Sequence, residues 1–391
     1  MTVLPYNKAC DMKSISLCSY TYNDGALLHG LLAGIPSWPR LPDEIVLVDD
    51  GSGVPFELTE EEKKLPVRLL RLPENKGFSV AKHTCVSAAR CDIVLAMDCD
   101  GRLTGDFLNH AEKMLEDPQA GLVGIADALQ DAGDLLSSYL NVFEIERRPE
   151  GTAEAAFVAG GAFAMRRDLW EELGGFEGYE RKLAEDYYLS ARLRKLGYKL
   201  LLERESSLRF VRRLNRPSFC RRLWKCYEES WMAGLKPDTP ISGYVNLPLL
   251  MSKRHCSEIS AKHPPVWMYY ELLSVCHICL MFCNSLGVQG VIPVNAGPDL
   301  LRSLERALGG RPVLYRLLRA DLMRSGSLPP AAAKAPDPSD LSPLATICEW
   351  QGFEAFLASL DEALVLEYLD KQGTKEILAD EAALQTDFSS Y

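Results

Sequence analysis

Positive charge is in short supply in this sequence: 43 Lys and Arg stand against 54 Asp and Glu, a formal net charge of −11 over 391 residues. A surface of that sign repels polyanions, so nucleic acid is excluded as a general partner. Histidine is scarce too. There are six, including His255, His263 and His277, and none has metal-ligand spacing. The 12 cysteines are scattered. Cys276 and Cys279 make one Cys-x-x-Cys inside a hydrophobic run, but no second pair accompanies them, which argues against a zinc site. Isolated thiols in apolar contexts behave as small hydrophobes, and the pattern reads as that of a reducing, cytoplasmic compartment. Long unbroken apolar runs are also missing. Residues 1–13 carry no charged-then-apolar leader. The best membrane candidate, residues 266–292, is interrupted by Glu271, His277, Asn284 and Gln289 and by Gly287 and Gly290. Such groups are costly in lipid, so a buried or interfacial helix is expected there. No internal repeat or long low-complexity run is present.

What remains is ordinary globular composition, 47% hydrophobic and 25% charged, with length enough for two domains or one large domain and an appendage. Strand and helix signals alternate from residue 14 onward. Residues 14–20 read as a strand, 26–32 as a helix, 44–48 as a β-branched strand, 66–72 as a third strand, 80–90 as a helix and 92–97 as a fourth strand. That alternation predicts βαβ units and a parallel sheet, whose right-handed crossovers bring the strand C-termini to one edge. Polar loops then converge on that edge: Tyr22-Asn23-Asp24, Asp49-Asp50-Gly51-Ser52, Asn75-Lys76-Gly77 and Asp98-Cys99-Asp100. Ligands of open α/β sheets bind there.

The stretch Val94-Leu95-Ala96-Met97-Asp98-Cys99-Asp100-Gly101 organises the chain. An apolar strand stops in two carboxylates one residue apart. Two acids at such a place are expensive to bury unless paired or bound to a cation. Oxygen ligands of this kind suit Mg²⁺ or Mn²⁺ shared with substrate phosphates. Taken alone, an Asp-x-Asp is more often a turn; four converging polar loops favour a nucleotide site.

Further on, residues 106–116 read as a helix and 121–125 as a strand, and 130–150 as a helix or loop draped over the site. A strand over 157–165 contains Gly160 and Gly161, which mark a bulge or close backbone approach. Residues 167–173 read as a short helix closed by Gly174-Gly175-Phe176. An amphipathic helix over 183–198 starts with Glu185 and Asp186, where acids also suit the helix dipole. Residues 199–202 read as the last strand. A basic cluster then runs from Arg204 to Lys225, and helices are expected over 217–231, 266–283, 298–308 and 313–324. The predicted division is an N-terminal extension (1–13), a catalytic domain (14–231), a helical region (232–326), a Pro/Ala-rich linker (327–345) and an acidic helical tail (346–391).

These motifs, in this order, resemble the family 2 inverting glycosyltransferases of GT-A fold. The resemblance covers about residues 14–231 and rests on Tyr22-Asn23-Asp24, Val48-Asp49-Asp50-Gly51-Ser52, Asn75-Lys76-Gly77 with Ala81-Lys82, Asp98-Cys99-Asp100, Gly160-Gly161, Gly174-Gly175-Phe176 and Glu185-Asp186. It implies an α/β fold of GT-A type, a mixed and mainly parallel sheet flanked by helices, with a mostly helical C-terminal region. It implies that Asp49 and Asp50 contact the base and ribose, that Tyr22, Asn23, Asn75 and Lys82 line the nucleotide-sugar pocket, and that Asp98 reaches the ribose. By the same resemblance Asp100, with Asp98, holds Mn²⁺ or Mg²⁺, Gly160 and Gly161 let donor and acceptor sugars approach, and Asp186, beside Glu185, is the general base.

The chemistry agrees: an inverting transfer needs one cation-binding acid cluster at the leaving diphosphate and one separate carboxylate for the acceptor hydroxyl. No covalent intermediate is stored, so a Ser-His-Asp pattern is not required. Two departures stand out. Relatives carry a histidine near the metal where this chain reads Ser207-Leu208-Arg209-Phe210-Val211-Arg212, so the metal is left to Asp100 and phosphates, or an Arg takes over part of its charge. The Gln-x-x-Arg-Trp of processive relatives is replaced by Phe219-Cys220-Arg221-Arg222-Leu223-Trp224, which favours transfer of a single sugar. The expected partners are a nucleotide-sugar donor, with UDP preferred, and a glycan, lipid-linked or protein acceptor; peripheral membrane contact and a homodimer are compatible with the helical C-terminal third. Competing readings are a sugar-phosphate nucleotidyltransferase, which would open with a Gly-rich loop after the first strand, and a non-catalytic transferase-like interaction protein, in which the acids would have decayed.

Overall fold

The computed structural model describes residues 12–131, 137, 141, 154–179, 185–213, 269, 270, 273 and 310–324. They fall into two units, one within residues 1–133 and 140–213, the other within 134–139 and 214–391. The first begins β1 (Ile15–Thr21), α1 (Gly25–Gly34), β2 (Glu44–Asp49), β3 (Val67–Arg71), α2 (Phe78–Ser87), β4 (Ile93–Met97) and β5 (Gly101–Thr104). It continues with α3 (Phe107–Met114), β6 (Ala120–Gln130), β7 (Glu154–Ala155), β8 (Ala162–Arg166), α4 (Arg167–Leu173), α5 (Glu185–Lys195) and β9 (Lys199–Phe210). In the second unit α6 (Pro312–Arg324) buries Leu314, Leu317, Leu318 and Leu322, and the buried Tyr269 hydroxyl donates to Asp321 Oδ2 at 2.7 Å. The helices expected over 217–231, 266–283 and 298–308, the linker, the acidic tail and the segment 130–150 lie wholly or mostly outside the described residues.

The strands form one mixed sheet of order β3-β2-β1-β4-β8-β6-β9-β5, with β7 on β9. The half β3-β2-β1-β4 is parallel throughout, and β6 pairs with β9 in parallel. β8 runs antiparallel between β4 and β6, and β5 and β7 run antiparallel to β9. The convergence of all strand ends on one edge therefore holds for the parallel half only. Hydrophobic patterning carries strand position but not strand direction, which is why the sequence did not separate the halves.

Apolar side chains fill both faces, as strands buried on two sides require. On one face Ile15, Leu17, Ile45, Leu47, Leu95 and Met97 pack with Leu28, Leu31 and Leu32 of α1 and Phe107 and Leu108 of α3. On the other Cys18, Val46, Val48, Val94 and Ala96 meet Ala81, Cys85 and Val86 of α2, Trp170 of α4 and Leu189 and Leu193 of α5. The alternation of Leu17 with Cys18 and of Leu47 with Val48 is the period of two that a strand imposes. The Cys85 thiol donates to the carbonyls of Ser19 and Val46 (3.2 and 3.0 Å), a packing role for a free cysteine. Among the described residues no helix is long and apolar enough to cross a membrane.

Two corrections bear on the site. The strand expected over 157–165 begins only at Ala162, so Gly160 and Gly161 lie in the loop before it. The strand expected to end at residue 202 continues to Phe210. Its apolar pattern is broken by Glu203-Arg204-Glu205-Ser206, a bulge where the register against β6 shifts. Glu203 closes that bulge by accepting the amides of Glu205 (2.7 Å) and Ser206 (3.0 Å). Beyond it the strand pairs with β5, the four residues after Asp100, whose polarity had concealed a strand.

One glycine is demanded by the layout of the rim. Gly51 has φ +70°, and a Cβ there would fall 2.4 Å from the carbonyl carbon of Glu74. Gly51→Ala is expected to lower the unfolding free energy by about 2 kcal/mol or more. Urea denaturation followed by circular dichroism measures this; a loss below about 0.5 kcal/mol, the range of neutral surface changes, would contradict the packing described.

Candidate active site

β4 ends at Met97, and the next peptide is tied across the sheet: the Asp98 amide donates to the Gly161 carbonyl at 2.9 Å. The Asp98 side chain accepts the Tyr20 hydroxyl at 2.6 Å and lies 3.6 Å from Lys82 Nζ. Burial lifts its pKa above the ordinary carboxylate range despite the neighbouring ammonium. Burial likewise raises the Tyr20 phenol, and the Asp98 charge adds to it. Asp100, two residues on, is buried and turns to a different cation. Its Oδ2 accepts Arg212 Nε at 2.9 Å, and its carbonyl accepts the Val211 amide at 2.9 Å. Arg212 also donates to Asp24 Oδ2 at 2.7 Å. Burial works against the guanidinium charge, but the two carboxylates outweigh it and raise its pKa. Between the two acids, burial pushes the Cys99 thiol up to about 12, so it stays protonated.

Opposite these acids stands the start of α5. Glu185 and Asp186 are neighbours in sequence but point to different partners. Glu185 is buried, and its Oε1 accepts Lys82 Nζ at 2.6 Å. Asp186 is partly exposed. Its Oδ2 accepts the Gly160 amide at 2.8 Å and its Oδ1 the Tyr187 amide at 2.8 Å. Gly160 and Gly161 are thus the link between the two sides, one amide on Asp186 and one carbonyl on Asp98. Neither position tolerates a side chain: a Cβ on Gly160 would lie 2.9 Å from Glu185 Oε1 and 3.0 Å from Lys82 Nζ, and one on Gly161 2.4 Å from the Phe210 ring.

Lys82, expected to line the nucleotide pocket, is 2% exposed, with its ammonium shared by Glu185, the Gly160 carbonyl (2.9 Å) and Asp98. Burial alone would pull its pKa down; Glu185 and then Asp98 reverse that and hold it charged. Glu185, expected beside the base, is the partner of Lys82.

The Asp49-Asp50 pair divides in the same way. Asp49 is buried and accepts the amides of Ser52 (2.9 Å) and Phe56 (3.0 Å) together with the Arg71 guanidinium. Those bonds carry its pKa below the carboxylate range although burial opposes them. With both oxygens engaged inside the loop, Asp49, expected at the base, shapes the turn. Asp50 accepts the amides of Lys76 (2.8 Å) and Gly77 (3.0 Å), and burial raises its pKa. It fixes the loop of Asn75, whose own Oδ1 accepts the Gly77 amide at 2.9 Å. Asn23, in the left-handed region at φ 58°, is stapled to the same rim: its amide donates to Ser52 Oγ and its Oδ1 accepts the Gly53 amide, both at 2.9 Å. Tyr22 is exposed beside it. The structure therefore gathers Tyr22, Asn23, Asp50 and Asn75 on one rim, and Asp98, Asp100, Gly160, Gly161 and Asp186 about the sheet centre.

Tyr20 had gone unremarked in the sequence. The signal was the register: Cys18 pairs with Ala96, so two residues further Tyr20 meets Asp98. The position of Asp24 against Arg212, 188 residues apart, has no local signal.

The candidate site thus consists of a mixed sheet with acids at its strand ends and a helix-borne acid across from them. Residues 16–174 match the family described as glycosyl transferase family 2. An uncharacterized glycosyltransferase of Haemophilus influenzae is 28% identical over 195 residues, 46% of this chain and 68% of that protein. A dolichol-phosphate mannosyltransferase of Pyrococcus furiosus is 26% identical over 198 residues, 48% of this chain and 51% of that protein. Among solved structures, the mannosyltransferase PcManGT of Pyrobaculum calidifontis, in complex with GDP-Man and Mn²⁺, aligns with 89% of this chain and 91% of its own at 18% identity and a TM-score of 0.46.

The Lys82–Glu185 pair makes a measurable claim. Lys82→Met leaves a carboxylate buried without its cation, and the unfolding free energy is expected to fall by about 3–5 kcal/mol. Adding Glu185→Leu should recover most of that loss. Urea unfolding of the single and double variants checks both; a double variant no more stable than Lys82→Met would count against the pairing.

Proposed function

We propose that this protein is an inverting, non-processive transferase that moves one sugar from a nucleotide-diphosphate sugar, with UDP as the preferred nucleotide, to an acceptor hydroxyl. The observation that carries the reading is the Gly160-Gly161 bridge, which joins Asp186 by one amide and the Asp98 strand end by one carbonyl. A leaving group and a base held to the same short backbone segment face one reacting centre.

In this reading Asp186 takes the acceptor proton. Its two oxygens each accept one backbone amide, which orients the carboxylate and leaves further lone pairs for the hydroxyl. The acceptor oxygen bonds to the anomeric carbon as the bond from that carbon to the diphosphate oxygen breaks, and the electron pair leaves with the nucleoside diphosphate. Asp50 and Asn75 order the rim on which the nucleoside rests, with Tyr22 and Asn23 beside it.

The donor set fits a hard divalent cation. Among the described residues, the ion pairs here join Asp24, Asp98, Asp100 and Glu185 to two cations, Lys82 and Arg212, with Asp186 beside them. A diphosphate entering such a site needs positive charge brought with it. Asp100, with Asp98 two residues before it, would hold Mn²⁺ or Mg²⁺ together with donor phosphates and water. Such an ion, when bound, supplies Lewis-acid stabilisation of the leaving diphosphate. Arg212 holds Asp100 Oδ2 meanwhile, and once released from it the guanidinium fits a phosphate. The reducing, cytoplasmic setting read from the cysteines belongs to the same proposal, supported by the free thiols of Cys18, Cys85, Cys91 and Cys99.

Calorimetric titration with UDP and GDP, with and without Mn²⁺, tests the reading. Wild type is expected to bind a nucleoside diphosphate more tightly with Mn²⁺, Asp100→Ala to lose that gain, and Asp186→Asn to keep it while donor turnover drops about 10²–10⁴-fold. Equal turnover of wild type and both variants would remove the assignment. Arg212→Ala should bind Mn²⁺ alone more tightly, because Asp100 is released, yet bind the nucleoside diphosphate about tenfold more weakly. Mn²⁺ titration by electron paramagnetic resonance reads the first effect, and unchanged Mn²⁺ affinity would refute it.

A further inference from the structure

Beside Asp186 the surface carries two aromatic rings that nothing so far has used. Phe157 and Tyr187 are 39% and 49% exposed, with ring centroids 6.3 Å apart and planes inclined by 40°. Large aromatic residues are normally among the more buried, and the only other one so exposed among the described residues is Tyr22, on the nucleotide rim. The pair is held firmly. Phe157 precedes Val158, whose amide donates to Ser190 Oγ of α5 at 3.2 Å, and Gly160 follows with its amide on Asp186. Tyr187 is the residue after Asp186, and its amide is the second donor to that carboxylate. The backbone segments that carry the two rings are therefore tied to the proposed base and to its helix.

We propose that Phe157 and Tyr187 form the stacking platform of a saccharide acceptor, holding one pyranose ring by its C–H face with a hydroxyl toward Asp186. This rests on the transferase reading above and adds the acceptor class to it. The faces of aromatic rings are electron-rich, and the C–H bonds along one face of a pyranose carry the complementary partial positive charge. Two rings about 6 Å apart match one sugar ring in width. A lipid surface or a protein partner needs a broad apolar patch, typically several hundred Å². Among the described residues the neighbours in the chain are the exposed Glu154, Ala156 and Ala159 and the carboxylate of Asp186, and the exposed large apolar side chains here are the two rings themselves.

The test uses saturation-transfer NMR on the full chain with methyl glycosides of glucose, galactose, mannose and N-acetylglucosamine, and with phospholipid vesicles as the competing probe. At least one methyl pyranoside is expected to bind, with saturation concentrated on the protons of one ring face. Phe157→Ala and Tyr187→Ala should each weaken it about tenfold, and Tyr187→Phe by no more than about twofold. Melting temperatures within about 3 °C of wild type establish that the variants are folded. Absence of transfer from every glycoside to wild type, or glycoside affinity unchanged in both alanine variants, overturns the platform. Vesicle binding lost in the variants while glycoside binding persists overturns it as well. Nucleoside diphosphate titration of wild type runs alongside: failure there with glycoside binding intact sinks the transferase reading and leaves the saccharide site standing.

Discussion

A single buried ammonium joins three elements of the candidate site. Lys82 reaches from α2 under the loop of Gly160 to Glu185 on α5 and to within 3.6 Å of Asp98 at the end of β4. An unpaired charge at such a depth would be prohibitive, and so would the two acids without it. The three elements can approach only in the arrangement that shares this proton-rich group. Everything functional is laid over that contact, since Asp186 follows Glu185 and Asp100 follows Asp98.

Adjacent acids in this protein do different work because the backbone turns successive side chains in different directions. Asp49 points into the loop and Asp50 across to the amides of Lys76 and Gly77. Asp98 meets Lys82 and Tyr20, while Asp100 meets Arg212. Glu185 goes under the surface and Asp186 stays at it. In each pair the two carboxylates meet different partners, and the cost of burying Asp49, Asp50, Asp100 and Glu185 is met by backbone amides or a fixed cation.

The family segment, residues 16–174, ends before the groups that distinguish this site. Asp186, Tyr187 and Arg212 all lie beyond it. Arg212 arrives because β9 continues through its bulge at Glu203 and hands the chain to Asp100 through the Val211 amide. With Asp24 it makes an ion trio where a histidine was expected and is absent. An arginine there neutralises part of the acidic rim but cannot act as a metal ligand, since a guanidinium has no free lone pair to offer. Net negative charge persists at the rim, which is the physical ground for an added cation.

Local sequence was sufficient for the parallel half of the sheet, for α1, α2 and α4, for the left-handed Gly174 that closes α4, and for the placing of acids at strand ends. Those features depend on period, propensity and turn chemistry within a few residues, and such signals survive in one chain read alone. Strand direction in β8, the continuation of β9, the short strand β5, the burial of Lys82 and Asp49 and the partner of Asp100 were decided only by tertiary structure. Each is a contact across roughly 20 to 190 residues, and no local pattern encodes which of several nearby charges a carboxylate will meet. The sequence by itself determined which acids stand at strand ends and at the start of α5; packing determined which partner each of them meets.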